Sequence, residues 1–186
     1  AVCLKSLAVH VACDERYRII VMCDNVKNIT MIQLRNVIKD YENIDIEFVD
    51  IRKKMYEYSE SFGQTVTDRQ ENRLYSGEFT LTIYFRLFIA ELFPELNKAV
   101  YIDSDTVIND DIAKLYSVDM GDAMFGAVRD TFAGKNTILA HYIENVVGIE
   151  RDEYVNSGVL LMNLDKIRQA HLADRFLKLI AEYHFD

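Results

Sequence analysis

Tryptophan is absent from this sequence, proline occurs once, at Pro94, and glycine only seven times in 186 residues. So few of the last two exclude a collagen-like or low-complexity chain. Cysteine is also sparse: Cys3, Cys13 and Cys23, with no C-x-x-C pair. An odd number of cysteines, each in an apolar segment, argues against a disulfide framework. They read as reduced, mostly buried thiols of a cytosolic protein. Positive charge is in deficit, with 21 Lys and Arg against 30 Asp and Glu and a formal net charge of -9. DNA or RNA is therefore a poor main partner. Long apolar runs are missing too, so no stretch predicts a transmembrane helix. The opening segment, Ala1 to Cys13, is interrupted by Lys5 and His10 and has no basic n-region. It predicts an amphipathic helix rather than a signal peptide.

What remains is a folding sequence, 50% hydrophobic, long enough for one domain with a substantial core or a large part of a bigger one. Tyr17 to Cys23 (YRIIVMC) predicts a buried strand. Met31, Leu34, Ile38 and Tyr41 recur at helical spacing and predict a helix from about Asn28 to Tyr41, with Asn28 or Thr30 as its cap. Ile44 to Val49 alternates with Asp45 and Glu47, a second strand. This β-α-β order implies a parallel pair with a right-handed crossover. Arg52 to Tyr75 is polar and reads as a long surface excursion with some helix, of the kind that borders sites. Phe79 to Phe93 predicts a helix apolar on nearly all sides, hence buried. Arg86 lies inside it. A buried Arg needs a partner: either it makes a structural salt bridge to an acid of the core, or it supports Asp103 or touches an anionic or hydroxyl-rich ligand.

The centre of the pattern follows. Ala99 to Ile102 predicts a buried parallel strand that ends in Asp103 and Asp105. In open α/β sheets, ligands bind at the carboxyl ends of strands. Two carboxylates one residue apart at a chain bend can converge on one cation, and hard oxygen ligands suit Mg²⁺ or Mn²⁺. The competing reading is a strand end with two solvated acids. Asp110 and Asp111 read as capping acids of a short helical turn. Met124 to Val128 predicts a strand ending at Arg129–Asp130, and Lys135 to Val147 a helix stopped by Gly148. Tyr154 to Leu164 (YVNSGVLLMNL) predicts another strand, with Gly158 allowing close approach of a ligand or neighbour. Asp165 opens a last helix through Tyr183. Asp103 with Asp105, Asp130 and Asn156 thus flank apolar strands and are expected along one sheet edge.

Three segments, Tyr84–Leu87 with Glu91–Pro94, Lys98–Thr106, and Tyr154–Leu164, resemble the retaining glycosyltransferases of family 8. That family includes the glycogenins and bacterial lipopolysaccharide galactosyl- and glucosyltransferases. The resemblance implies an α/β chain of GT-A fold, with a Rossmann-like, mostly parallel sheet flanked by helices, residues 1–186 forming a single partial catalytic domain. It implies a UDP-sugar donor, UDP-glucose or UDP-galactose, with Mn²⁺ or Mg²⁺, and a glycan, lipopolysaccharide or other hydroxyl acceptor. By the family pattern Asp103 and Asp105 bind the metal. Arg86, Ser104, Asn156 and Ser157 contact the donor, and Asp130 lies near the donor or acceptor sugar. No catalytic nucleophile is assigned. The protein is expected in the cytoplasm, free or peripheral to the inner membrane face.

The chain departs from that pattern at both ends. The family's first strand and its later metal-binding His motif have no counterpart here, so the chain is expected to be an internal fragment that turns over poorly alone. Two rivals remain. Asp103–Ser104–Asp105–Thr106–Val107 also fits the D-x-D-x-[TV] pattern of haloacid-dehalogenase-type phosphatases, with Asp103 as nucleophile. The other is a non-catalytic sugar-nucleotide-binding domain.

Overall fold

The structure is a computed structural model that describes residues 1–54 and 81–182. Most of the polar excursion from Arg52 to Tyr75, the first two residues of the helix expected from Phe79, and Tyr183 lie outside the described residues.

The chain opens with α1 (Val2–Ala8), β1 (Tyr17–Cys23), α2 (Asn28–Ile38) and β2 (Ile44–Asp50). β1 and β2 pair in parallel, from Tyr17 opposite Ile44 to Cys23 opposite Asp50, as the β-α-β pattern predicts. Neither Asn28 nor Thr30 caps α2. Lys27 holds the N-cap position, with no side-chain cap bond.

A second sheet has the order β3-β5-β4, built from β3 (Lys98–Ile102), β4 (Phe125–Arg129) and β5 (Val155–Asn163). Both of its ladders are antiparallel. The Ala99–Ile102 run, expected as a buried parallel strand, is half-buried and runs against β5. An apolar run reports a strand's burial. It carries no information about the direction of a neighbour supplied some fifty residues later.

Side-chain alternation makes the two sheets share the same two cores. Tyr17 and Ile19 of β1, Ile44 and Ile46 of β2, and Ile102 of β3 pack on one side with Leu7, Ala8 and Ile38 of the helices. Ile20 and Met22 of β1, Val49 of β2, and Ala99 and Tyr101 of β3 point to the other side. That side holds the larger core of Phe85, Phe88, Ile89, Leu92, Met162, Leu164 and Ile167. Phe88 is 1% exposed, and truncating such a ring to Ala costs about 3–5 kcal/mol.

The helix expected over Phe79–Phe93 is a 3₁₀ segment, Leu81–Phe88, that becomes α-helical only at Ile89–Leu92. Phe85, Phe88, Ile89, Ala90, Leu92 and Phe93 are buried as anticipated, while Tyr84 and Leu87 are half-buried. The segment after β4 breaks into a 3₁₀ turn (Ala133–Lys135), an α-helix (Thr137–Tyr142) and a π turn (Ile143–Val147). Gly148 stops it at φ +77°, a left-handed cap that glycine adopts without steric cost. The last predicted helix is two: Leu164–Gln169, capped by Asn163, and Leu172–Glu182, separated by His171 at φ 52°. Cys23 is buried and Cys3 half-buried, but Cys13 is exposed, against the expectation of mostly buried thiols. None of the helices among the described residues is long and apolar enough to cross a membrane.

Candidate active site

The acidic pair sits where β3 runs out. Thr106 N donates to Asp103 O at 3.2 Å, closing a turn that holds Ser104 and Asp105. The following loop is tied to the other side of the sheet. Ile108 N donates to Ser6 Oγ at 2.9 Å, and the Tyr17 hydroxyl donates to Asp111 Oδ1 at 2.7 Å. Asp111 is the N-cap of Ile112–Tyr116, accepting from Ala113 N, as expected of a capping acid. Asp110 instead pairs with Lys114.

A bulge in β5 completes the site. Ala127 lies opposite Leu160, yet its neighbour Val128 lies opposite Asn156, so Ser157, Gly158 and Val159 have no partner on β4. The released segment turns toward β3, and Asp103 N donates to Gly158 O at 2.8 Å. A bulge beside a site is a common way to re-aim side chains. Gly158 is needed there for space. A Cβ at this position would sit 3.1 Å from Asp103 Oδ2 and 3.0 Å from Asn156 Oδ1. Asn156 Oδ1 itself accepts from Gly158 N at 2.9 Å.

Arg86 bridges the two strands. Its Nη1 donates to Ser157 O at 2.6 Å and to Ser157 Oγ at 2.9 Å, and its Nη2 lies 3.3 Å from Asp103 Oδ1. The Arg86 side chain is 15% exposed and that of Asp103 35%. The contact matches the expectation that Arg86 supports Asp103. Ser157, expected to contact a donor, has its hydroxyl engaged by Arg86.

Tyr101, which the sequence reading did not single out, is the fourth member. Its hydroxyl donates to Asp103 Oδ1 at 2.6 Å, and the Arg86 guanidinium lies 4.7 Å from its ring centroid. Burial, then the hydrogen bond to Asp103, push the phenol up to about 12. It therefore keeps its proton at neutral pH. The available signal was the spacing: residues two apart on a strand share a face.

Oδ1 of Asp103 is thus committed to two donors, while Oδ2 has no hydrogen bond among the described residues. Asp105 and Ser104 are exposed beside it. Two hard carboxylates with an unengaged oxygen fit a divalent cation, the donor set expected for Mn²⁺ or Mg²⁺. No group of three or more His, Cys, Asp and Glu is placed to hold a metal among the described residues.

Asp130 lies at the same end of the sheet. Its N donates to Tyr154 O at 2.8 Å, and its Oδ1 accepts from Phe132 N at 3.1 Å and Ala133 N at 2.9 Å. Asp130 therefore organises its own turn. The ends of β3 and β4 and the start of β5 converge, so Asp103, Asp130 and Asn156 do share one sheet end, with Asn156 and Ser157 exposed there.

Among solved structures, the bifunctional glycosyltransferase WbbM in apo form superposes with a TM-score of 0.72 at 23% identity, covering 91% of this chain and 30% of that one. The galactosyltransferase LgtC in complex with donor and acceptor sugar analogues gives 0.65 at 22% identity, covering all of this chain and 61% of LgtC. These likenesses establish the α/β GT-A fold. A putative glycosyltransferase of Haemophilus influenzae is 29% identical over 105 residues, 56% of this chain and 31% of its own length. The chain thus spans less than two thirds of each of these proteins. The family model described as glycosyl transferase family 8 matches residues 1–185, which sets the phosphatase reading aside. The chain belongs to glycosyl transferase family 8.

Proposed function

We propose that the protein transfers a hexose from UDP-glucose or UDP-galactose to a hydroxyl of a glycan, a lipopolysaccharide or another acceptor, with retention at the anomeric carbon. Residues 1–186 form part of the catalytic domain, working in the cytoplasm or at the inner membrane face. The observation that carries this reading is the Arg86–Asp103–Ser157 bridge at the end of β3, set beside an exposed Asp105 in a family 8 chain.

When bound, Mn²⁺ or Mg²⁺ would be held by Asp103 and Asp105 and would offset the charge growing on the departing diphosphate. The chain's own residues set the geometry. Arg86 balances the Asp103 charge and fixes the Ser157 backbone, so the sugar meets a rigid wall formed by the β5 bulge. Asn156 and Ser104, both exposed, are free to bond donor hydroxyls or phosphate. In the transfer, the bond from the anomeric carbon to the diphosphate oxygen breaks and a bond to the acceptor oxygen forms on the same face. The acceptor's proton goes to the departing diphosphate. No carboxylate nucleophile is invoked, and Asp130, engaged with backbone N–H groups, acts as a wall near the sugars.

The test is calorimetric titration of UDP into the intact protein, with and without Mn²⁺, beside an Asp103→Asn/Asp105→Asn variant. Metal-dependent binding that drops at least tenfold in the variant supports the reading. Binding that ignores both metal and variant, or no binding at all by the intact protein, overturns it. Donor binding without any transfer to a panel of glycan acceptors would instead favour a non-catalytic sugar-nucleotide-binding domain.

A further inference from the structure

Asp103 is the better anchored of the two acids, and the shorter of its two side-chain hydrogen bonds comes from a residue with no assigned role. Tyr101 shares a strand face with Asp103, and it packs, partly buried, against the larger core. Its ring is therefore fixed before the hydroxyl is considered. The hydroxyl then reaches Asp103 Oδ1 at 2.6 Å, shorter than the 3.3 Å contact from Arg86 to the same oxygen. The phenol is thus the tighter of the two restraints on that carboxylate. Asp103 N bonded to Gly158 O fixes the backbone, and the two donors on Oδ1 restrain the turn of the carboxylate. The oxygen left over, Oδ2, is the one facing the Gly158 gap.

We infer that Tyr101 is a positioning residue for the cation: by donating its hydroxyl proton to Asp103 Oδ1, it fixes Oδ2 as the oxygen presented to the metal–diphosphate. This rests on the proposed metal-dependent donor site. Two effects oppose each other when the hydroxyl is removed. The carboxylate loses a donor and keeps more of its negative charge available to a cation, which favours binding. It also becomes free to rotate and to pair more closely with Arg86, which disfavours it. Outer hydrogen-bond partners of ligating groups, when removed, typically lower metal affinity by roughly 10–100-fold. Loss of orientation therefore wins. Tyr101→Phe isolates the effect, because it keeps the ring, its packing and its contact with the Arg86 guanidinium.

The experiment compares the intact protein, Tyr101→Phe and Asp103→Asn by calorimetric titration of UDP with and without Mn²⁺, by Mn²⁺ electron paramagnetic resonance titration, and by thermal melting. Tyr101→Phe is expected to weaken Mn²⁺ binding in the presence of UDP about tenfold. Metal-free UDP binding should stay at the parental value, and the melting temperature should fall by no more than the few degrees that one lost hydrogen bond to a carboxylate accounts for. Parental Mn²⁺ affinity in Tyr101→Phe, together with loss in Asp103→Asn, overturns the role of Tyr101 and leaves the donor site standing. Parental Mn²⁺ affinity in Asp103→Asn overturns the metal site itself. A Tyr101→Phe loss matched by an equal loss of metal-free UDP binding, or by a fall in melting temperature that marks an unfolded or partly unfolded protein, also refutes the positioning role.

Discussion

Gly158→Ala separates binding from stability. An added Cβ would stand 3.1 Å from Asp103 Oδ2 and 3.0 Å from Asn156 Oδ1, so its neighbours must yield by a few tenths of an ångström. They do not yield equally. Asn156 is exposed and can swing outward at the cost of its bond to Gly158 N. Asp103 is clamped through Oδ1 by Tyr101 and Arg86. The strain therefore falls on the one carboxylate oxygen assigned to the cation. Displacing a held side chain by this amount costs about 1–2 kcal/mol, which is roughly a factor of 5–30 in the affinity for metal-dependent UDP. Stability should move the other way. Gly158 is outside the left-handed region, and replacing such a glycine stabilises a fold by about 0.4–1 kcal/mol through the unfolded chain. That gain offsets about half of the crowding. The expected result is a five- to thirtyfold weaker metal-dependent UDP titration in a protein that melts within a few degrees of the parent. UDP affinity within twofold of the parent, or a loss that tracks a lower melting temperature, refutes the reasoning.

Two further outcomes are expected. Arg86→Lys keeps the charge but loses the fork that grips Ser157 O, Ser157 Oγ and Asp103 Oδ1 together. Losing a charge-assisted hydrogen bond worth about 1.5–3 kcal/mol should weaken metal-dependent UDP binding roughly tenfold or more by calorimetry, and a change under twofold would show that the bridge is dispensable. Glu91 has a buried Oε2 without a hydrogen-bond partner among the described residues. Burial and the nearby Asp174 raise its pKa against the pull of Arg168 and His171. A raised folded-state pKa contributes stability below the ordinary glutamate range that is lost as the pH climbs through the folded value. Glu91→Gln should therefore stabilise the protein at neutral pH and lose that advantage in acid, read as the melting-temperature difference across pH. A difference that is flat with pH would refute the assignment.

Much of this was legible from residues because local physics decided it. β1 and β2 pair as their intervening helix requires, Gly148 stops its helix in the left-handed region, and Asp111 caps the turn it precedes. Arg86 was expected to seek an acid and found Asp103. The remainder depends on contacts between distant parts of the chain. Whether β3 has a parallel or antiparallel neighbour is set by β5, which no local pattern in Ala99–Ile102 encodes. The β5 bulge had a signal in Asn156–Ser157–Gly158, which is poor strand composition, but its position depends on the register against β4, which no local pattern encodes. Tyr101 looked like core because it is core. Only its last atom belongs to the site. Exposed Cys13 shows the limit of reading burial from apolar neighbours alone.

The bond from Asp103 N to Gly158 O also sets an order of events in folding. β1 and β2 close over a short β-α-β span, whereas β3 and β5 meet only after the whole chain from residue 103 to residue 158 has been gathered in. The entropy of closing that loop must be met before any of the site's hydrogen bonds can repay it, and such non-local pairings govern slow folding steps. Donor-binding competence should thus emerge late in refolding, together with the antiparallel sheet, when much of the helical content is already in place. Substitutions within the 137–147 segment, which lies inside that loop, have a route to change how fast the protein becomes functional without touching the finished site.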